Sequence, residues 1–227
     1  YYGPNAFNGV ISMETKNPFV LKGLSLQVKG AERSLLEVGL RYADAFKNKD
    51  GNDWFAYKLN LFHLRANDWE AENYAPVYES ETGFDNPGGF DAVNIYGDEF
   101  NRTVNIMGTY HRRGYEEKDL VNYATRNYKA GIATHFRLQP SKGFESPELM
   151  LTSNYGGGST VYQGDNRFSL KNIMFFQHKI ELQKYNKYFL RSYVTHEDAG
   201  DSYDPFFTAL QLQRRSKDDV QWNTDYI

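Results

Sequence analysis

A chain of 227 residues with net charge −3, 16% aromatic residues and a mean hydropathy of −0.70 has room for one large all-β domain or two smaller ones. The charge argues against a nucleic-acid partner, which selects for a basic stripe, and no run of about 18 apolar residues exists to make a transmembrane helix. Without cysteine there is neither a disulfide framework nor thiolate chemistry. The 18 Tyr and 16 Phe in a polar average suit strands that show an apolar side chain one residue in two, as membrane-barrel strands do, and the aromatic girdles at membrane interfaces. The first residues have neither the charged nor the apolar region of a signal peptide, nor an initiator Met, so we expect the chain to begin inside a longer product.

In chain order, Gly3 and Gly9 supply turns that other residues resist. Val10-Ile11 then begins a buried strand, which Pro18 ends. Strict alternation follows. Leu24, Leu26 and Val28 alternate with Ser25, Gln27 and Lys29. Leu36, Val38, Leu40 and Tyr42 alternate with Glu37, Gly39, Arg41 and Ala43. Residues 54–66 read as a third strand. Tyr128, Ala130, Ile132, Thr134, Phe136 and Leu138 oppose Lys129, Gly131, Ala133, His135, Arg137 and Gln139. Residues 148–156 form a fifth strand. In a sixth, Met174, Phe176, Ile180 and Leu182 oppose Gln177, Lys179, Glu181 and Gln183, with His178 as a blemish on the apolar side. Residues 187–196 form a seventh. No segment of comparable length has a 3.6-residue period, and the expected class is all-β.

The connections sort by length. Short polar turns at 47–53, 140–147 and 184–187 follow the second, fourth and sixth strands. Longer irregular stretches at 67–125, 162–170 and 198–227 follow the third, fifth and seventh. Membrane barrels have this asymmetry, with short periplasmic turns and long extracellular loops. The turn near Gly30 to Arg33 is a short exception. Residues 67–125 are acidic, with 12 Asp or Glu against 4 Lys or Arg. Alternation of Val104, Ile106 and Tyr110 predicts a hairpin inside that stretch, which would shift the strand count by one if it crossed the membrane.

Residues Tyr2-Gly3-Pro4-Asn5-Ala6-Phe7-Asn8-Gly9-Val10-Ile11-Ser12-Met13-Glu14-Thr15-Lys16 resemble the end of the plug domain of TonB-dependent outer-membrane receptors. Three further segments, Gly114 to Leu120, Tyr162 to Leu170 and Glu197 to Pro205, resemble the subclass with a carboxypeptidase-regulatory-like N-terminal domain, relatives of the SusC-type glycan importers. Pro4 and Phe7 depart from the commonest SusC-type wording. The resemblance implies a plug end over residues 1–18 and the first part of an antiparallel transmembrane β-barrel over 19–227. About seven strands would then be present of the roughly 22 that close such a barrel. It also implies energised import of a siderophore, glycan or peptide across a bacterial outer membrane. Partners would be membrane lipid, the TonB complex acting through a segment outside this chain, and a SusD-like surface lipoprotein or other outer-membrane subunits. Two other readings stay open: a structural barrel subunit that does not transport, and a soluble β-rich binding module.

The residues offer little chemistry, and we expect no enzyme, no cofactor and no metal. Gly156-Gly157-Gly158-Ser159-Thr160 is followed by neither the Lys nor the helix of a phosphate loop, and reads as a strand end. Ser159 is not in a nucleophile elbow. His63, His111, His135, His178 and His196 lack metal-ligand spacing and read as wall or interface residues. Two acidic sets could supply oxygen ligands to Ca²⁺: Glu197, Asp198, Asp201 and Asp204, and Glu116, Glu117 and Asp119. Acidic surface loops are usually only solvated. Asn101-Arg102-Thr103 matches a glycosylation sequon by chance in a bacterial loop. Tyr74, Tyr78, Phe84, Phe90, Tyr203, Phe206 and Phe207 are loop aromatics that either grip a ligand or tie the loops together.

Overall fold

A computed structural model describes residues 15–104, 108–163 and 167–226; the expected plug strand before Thr15 lies outside these. The main body is one antiparallel sheet of seven strands: β1 (Gly23–Ala31), β2 (Leu35–Lys47), β3 (Asp53–Asn67), β8 (Ala124–Arg137), β9 (Glu148–Gln163), β10 (Arg167–Lys184) and β11 (Tyr188–Asp198), paired in that order. The strands β4 (Ile95–Tyr96), β5 (Asn101–Val104), β6 (Gly108–His111) and β7 (Tyr115–Glu116) lie outside that sheet, in the connection between β3 and β8. No pairing joins β1 to β11 among the described residues, so the sheet is open.

The register carries the alternation of each strand coherently across the sheet. One row runs Leu26, Leu40, Leu61, Ala130, Tyr155, Phe176 and the next Leu24, Tyr42, Leu59, Ile132. The opposite face runs Arg41, Asn60, Gly131, Asn154, Gln177 and then Ala43, Lys58, Ala133, Thr152, Lys179. A one-residue slip anywhere would exchange these faces, and the pairing avoids it. Only β2–β3 and β9–β10 contain register shifts, at Phe46/Lys47 and Leu170/Ile173.

No second sheet packs on the apolar face among the described residues. Ile180 is 48% exposed and Leu61 54%. Leu40 and Phe136 are partly buried rather than open; Phe55 and Trp54 crowd Phe136, at 5.0 and 6.3 Å between ring centroids. Buried residues gather instead on the polar face, where Ala43 and Ala56 are fully enclosed.

The short turns stand where the sequence places them. The first has Gly51 at φ 81°, the second is a 3₁₀ turn over Pro140–Glu145, and the third has Asn186 at φ 54°. Two longer connections differ from expectation. Of residues 162–170, those described belong to β9 and β10, which run to Gln163 and from Arg167, so this connection is short; residues 164–166 lie outside the described set. Gly156 to Thr160 is accordingly mid-strand rather than a strand end, facing the irregularity at Leu170/Ile173. A Cβ on Gly158 would strike the Arg126 carbonyl, so only glycine lets β8 and β9 pair there. Residues 198–227 are not all irregular: α2 (Pro205–Ser216) and α3 (Asp219–Tyr226) form two helices. Asp204 caps α2 by accepting from the Phe207 amide, and Pro205 occupies the first turn, where no N–H is needed. The predicted hairpin is present as β5 with β6, a separate two-stranded sheet that does not join the main one; Ile106 lies outside the described residues.

Candidate functional site

Two regions concentrate buried polar groups. The first lies on the polar face near the short-turn end, beneath residues 15–22. Lys58, only 4% exposed, donates from Nζ to Thr15 Oγ1 at 2.6 Å and to the Lys16 carbonyl at 3.0 Å. Arg41 donates to the Leu21 carbonyl at 2.7 Å. Phe19, buried, lies 3.9 Å under the Arg137 guanidinium and edge-on to His135, whose Nδ1 is 2.5 Å from Glu148 Oε1. The small side chains of Ala43, Ala45, Ala56 and Ala133 share this face and leave room for the segment to approach. Further along, Glu181 accepts from Lys179 at 2.8 Å and Arg191 at 2.7 Å. A charged side chain is enclosed at low cost only with a partner at hand. Lys58, His135, Glu148 and Glu181 have polar or charged partners, while Arg137 rests on the rings of Phe19 and Phe144 with its Nε unpaired among the described residues.

The second region is a cap at the other end of the strands, built from the long connection between β3 and β8. It contains the paired strands β4 and β7, the β5–β6 hairpin and a single turn of helix, α1 (Glu117–Leu120). Its centre is Glu117, fully buried. Glu117 accepts from Tyr96 at 2.5 Å and Tyr123 at 2.7 Å, and lies 2.8 Å from Arg167 Nε of β10. Burial pushes the Tyr123 phenol up to about 12 and raises Tyr96 as well, so both are donors at any physiological pH. The helices dock on this cap: Gln213 of α2 donates to the carbonyls of Gly97 (2.7 Å) and Arg113 (2.9 Å). Buried Arg112 in turn reaches Asp219 of α3 at 2.5 Å and the Gln213 and Lys217 carbonyls.

Beside that dock, one carboxylate oxygen from each of Asp91, Asp98 and Glu99 lies within 4.8 Å of the others. Burial pushes Asp98 up to about 7 and raises Glu99 and Asp91 too. Asp98 Oδ2 accepts from the Ala92 amide, while Asp98 Oδ1 and Glu99 Oε2 are enclosed without a hydrogen-bond partner among the described residues.

The acidic sets singled out in the sequence are not assembled in this way. Asp198 turns back to the Gly200 amide, Asp201 bonds Asn172, Asp204 caps α2, and Glu197 points to the face opposite Asp198. Glu116 bonds Tyr74 and Lys118, Glu117 takes Tyr96, Tyr123 and Arg167, and Asp119 is exposed. Neither set converges on a common point. The triad that does converge was invisible as a motif, because six residues separate Asp91 from Asp98 in a stretch acidic throughout. Four of the histidines stand in the seven-stranded sheet, and His111 stands in the cap, bonding the Asp98 carbonyl and Thr82. Of the loop aromatics, Tyr203 ties the segment before α2 to the Leu120 carbonyl, and Phe206 packs on Tyr96. Phe84 pairs with Phe90, while Tyr78 is fully exposed.

Comparison with models of known protein families, with curated proteins and with solved structures finds no match to this chain.

Proposed function

We propose that this chain forms part of the wall of a TonB-dependent receptor of a bacterial outer membrane, which imports a scarce nutrient by energised movement of a plug and performs no chemical reaction. The observation that carries the proposal is the two-faced sheet: one side apolar and uncovered from β1 to β11, the other polar and holding the incoming segment 15–22. Water makes an uncovered apolar face of this breadth unfavourable, whereas lipid favours it.

The distribution of side chains along that face supports the same reading. Phe46, Trp54, Phe55, Tyr57 and Phe136 cluster at the short-turn end, with centroids 5.0–6.3 Å apart, as an interfacial girdle would. At the other end the apolar rows stop at the paired Arg65 and Arg126. Between Arg126 and Phe136, at ~3.3 Å per residue and a barrel tilt of ~40°, the band is about 25 Å tall, the height of the apolar belt of outer-membrane barrels. Polar intruders on this face are satisfied locally: Ser153 bonds His178 at 2.9 Å, and Asp44 accepts from the Ala45 amide. The step from membrane wall to receptor rests on the resemblance of Tyr2 to Lys16, and Thr15 and Lys16 lie on the polar face, where a plug leaving the lumen would join the wall.

Deleting the TonB-contacting segment from the full-length protein in its host tests this. Uptake of the nutrient should stop while the barrel still assembles and resists heat in gels. Uptake that survives the deletion would instead leave a barrel with a structural role, and a protein that stays monodisperse without detergent would rule out the membrane wall itself.

A further inference from the structure

From the geometry of the cap we infer that Asp91, Asp98 and Glu99 bind one Ca²⁺ ion, which fastens the β4–β6 part of the cap to the docked helices. Three oxygens no more than 4.8 Å apart share a centre at most about 2.8 Å from each. Ca–O distances are about 2.3–2.6 Å, so small rotations of the side chains suffice. The donors are all carboxylate oxygens, which selects a hard cation over Zn²⁺ or a softer transition metal. Mg²⁺ keeps its waters and requires an octahedral shell, whereas Ca²⁺ accepts irregular sets of this kind.

Enclosure of the oxygens carries the inference beyond acidity alone. Asp98 is 5% exposed, and its Oδ1 has no donor among the described residues; nor does Glu99 Oε2. Buried carboxylate oxygens ordinarily have partners. The backbone amides of Gly97, Asp98 and Glu99 lie against these carboxyls yet leave Asp98 Oδ1 and Glu99 Oε2 unpaired among the described residues, and the other neighbouring donors are committed. The Ala92 amide serves the other oxygen of Asp98, and the Ser80 hydroxyl accepts from the Asp91 amide. His111 spends both ring nitrogens on the Asp98 carbonyl and Thr82, and Arg112 turns toward Asp219 and the carbonyls of Gln213 and Lys217. A bound cation would give both oxygens a partner.

The consequences follow from connectivity. Asp91 sits beside the Pro76–Ala92 bridge, and its carbonyl accepts the Val77 amide. Asp98 follows Gly97, whose carbonyl receives Gln213 of α2. An ion held between them joins the outer cap to the turn on which α2 docks. The inference does not depend on the receptor reading, since the site lies wholly within the cap.

The test uses the full-length protein, purified, stripped with a chelator and titrated calorimetrically with Ca²⁺, with limited proteolysis of residues 68–123 alongside. We expect one ion with a Kd of roughly 0.1–1 mM, as in extracellular modules, and slower cleavage of the cap once it is bound. Asp98→Asn keeps the shape and the Ala92 bond, and should weaken binding by more than about tenfold, the loss that removing an outer partner alone can cause. Glu99→Gln, at a less buried position, should do the same and serves if Asp98→Asn does not fold. Asp201→Asn, in a set that does not converge, should leave the titration unchanged. Absence of saturable binding at millimolar Ca²⁺, or binding that survives both Asp98→Asn and Glu99→Gln, would overturn the inference.

Discussion

Leu61 and Asn60 are neighbours in β3 on opposite faces, and replacing each by Lys separates a wall in lipid from a sheet in water. Leu61 is eight residues from Asp53 and six from Asn67. At ~3.3 Å per residue and a tilt of ~40°, it lies about 20 and 15 Å from the two strand ends along the membrane normal, near the midplane of a band about 25 Å tall. A Lys at that depth costs about 2–4 kcal/mol, or roughly 30- to 700-fold in the folding equilibrium at ~1.4 kcal/mol per tenfold. In water, a 54% exposed Leu on an open face would tolerate the change within about 0.5 kcal/mol. Asn60→Lys, pointing to the polar face, should stay within about 0.5 kcal/mol in either setting. Denaturant titration of the full-length protein refolded into lipid vesicles measures both. Equal stabilities for Leu61→Lys and the parent would refute the assignment of this face to lipid.

Other perturbations probe the two polar regions and one backbone position. Glu117→Gln leaves Arg167 without its counter-charge and should destabilise the cap by about 3 kcal/mol; hydrogen exchange of residues 92–123 should then speed up roughly a hundredfold, and unchanged exchange would remove Glu117 from the centre of the cap. Phe19→Ala takes the ring from beneath Arg137 and beside His135 and should cost about 3 kcal/mol, read by the same vesicle titration; no loss would mean that segment 15–22 is not seated on the polar face. Gly200 has φ 60° and bridges to Lys171, and a Cβ there would collide with the Lys171 and Asn172 carbonyls. Gly200→Ala should therefore cost about 1–3 kcal/mol and loosen α2 from the end of β10, seen as faster exchange at Ser169 and Tyr203. Retained protection at both amides would count against that bridge.

What the sequence discloses and what it hides divides along a physical line. Period-2 alternation specifies a face, so β2, β8 and β10 were legible in phase, although β10 begins at Arg167, seven residues before the alternation shows it, and cross-strand register follows once short turns join them. The helix α2 was hidden although its start is written in Asp204-Pro205. Its inward face runs through Ala209 and Gln213, and a buried Gln erases the apolar period while its amide finds the Gly97 and Arg113 carbonyls. The Gly156 to Thr160 run looked like a strand end because glycine usually weakens strands; here close approach to Arg126 requires it. The cap was legible only as acidic and containing a hairpin. Its organising contacts, Glu117 with Arg167 and Arg112 with Asp219, span 50 and 107 residues, and no local pattern encodes pairs so distant.

The edges of the sheet lead to the last prediction. Among the described residues β1 and β11 are each paired on one side only, and every residue of both is exposed. Half the backbone groups of an antiparallel strand face each neighbour, so about four or five N–H groups of β1 and five or six of β11 have no strand partner here. In hydrocarbon each would cost several kcal/mol, a total well beyond the 5–15 kcal/mol that holds an ordinary domain together. Water would satisfy them, and soluble sheets guard such edges with charged side chains, proline or bulges; these strands have no proline or bulge, and their charges are Lys29 in β1 and Arg191, Glu197 and Asp198 in β11. If this is a membrane wall, further strands therefore pair with both edges in the intact protein. Hydrogen exchange of the full-length protein in vesicles reads this directly: the outward amides of β1 and β11 should exchange as slowly as those of Leu59 and Leu61 in β3. Should those amides exchange at the rate of free peptide while β3 stays protected, the edges face water and the chain is not part of a closed wall.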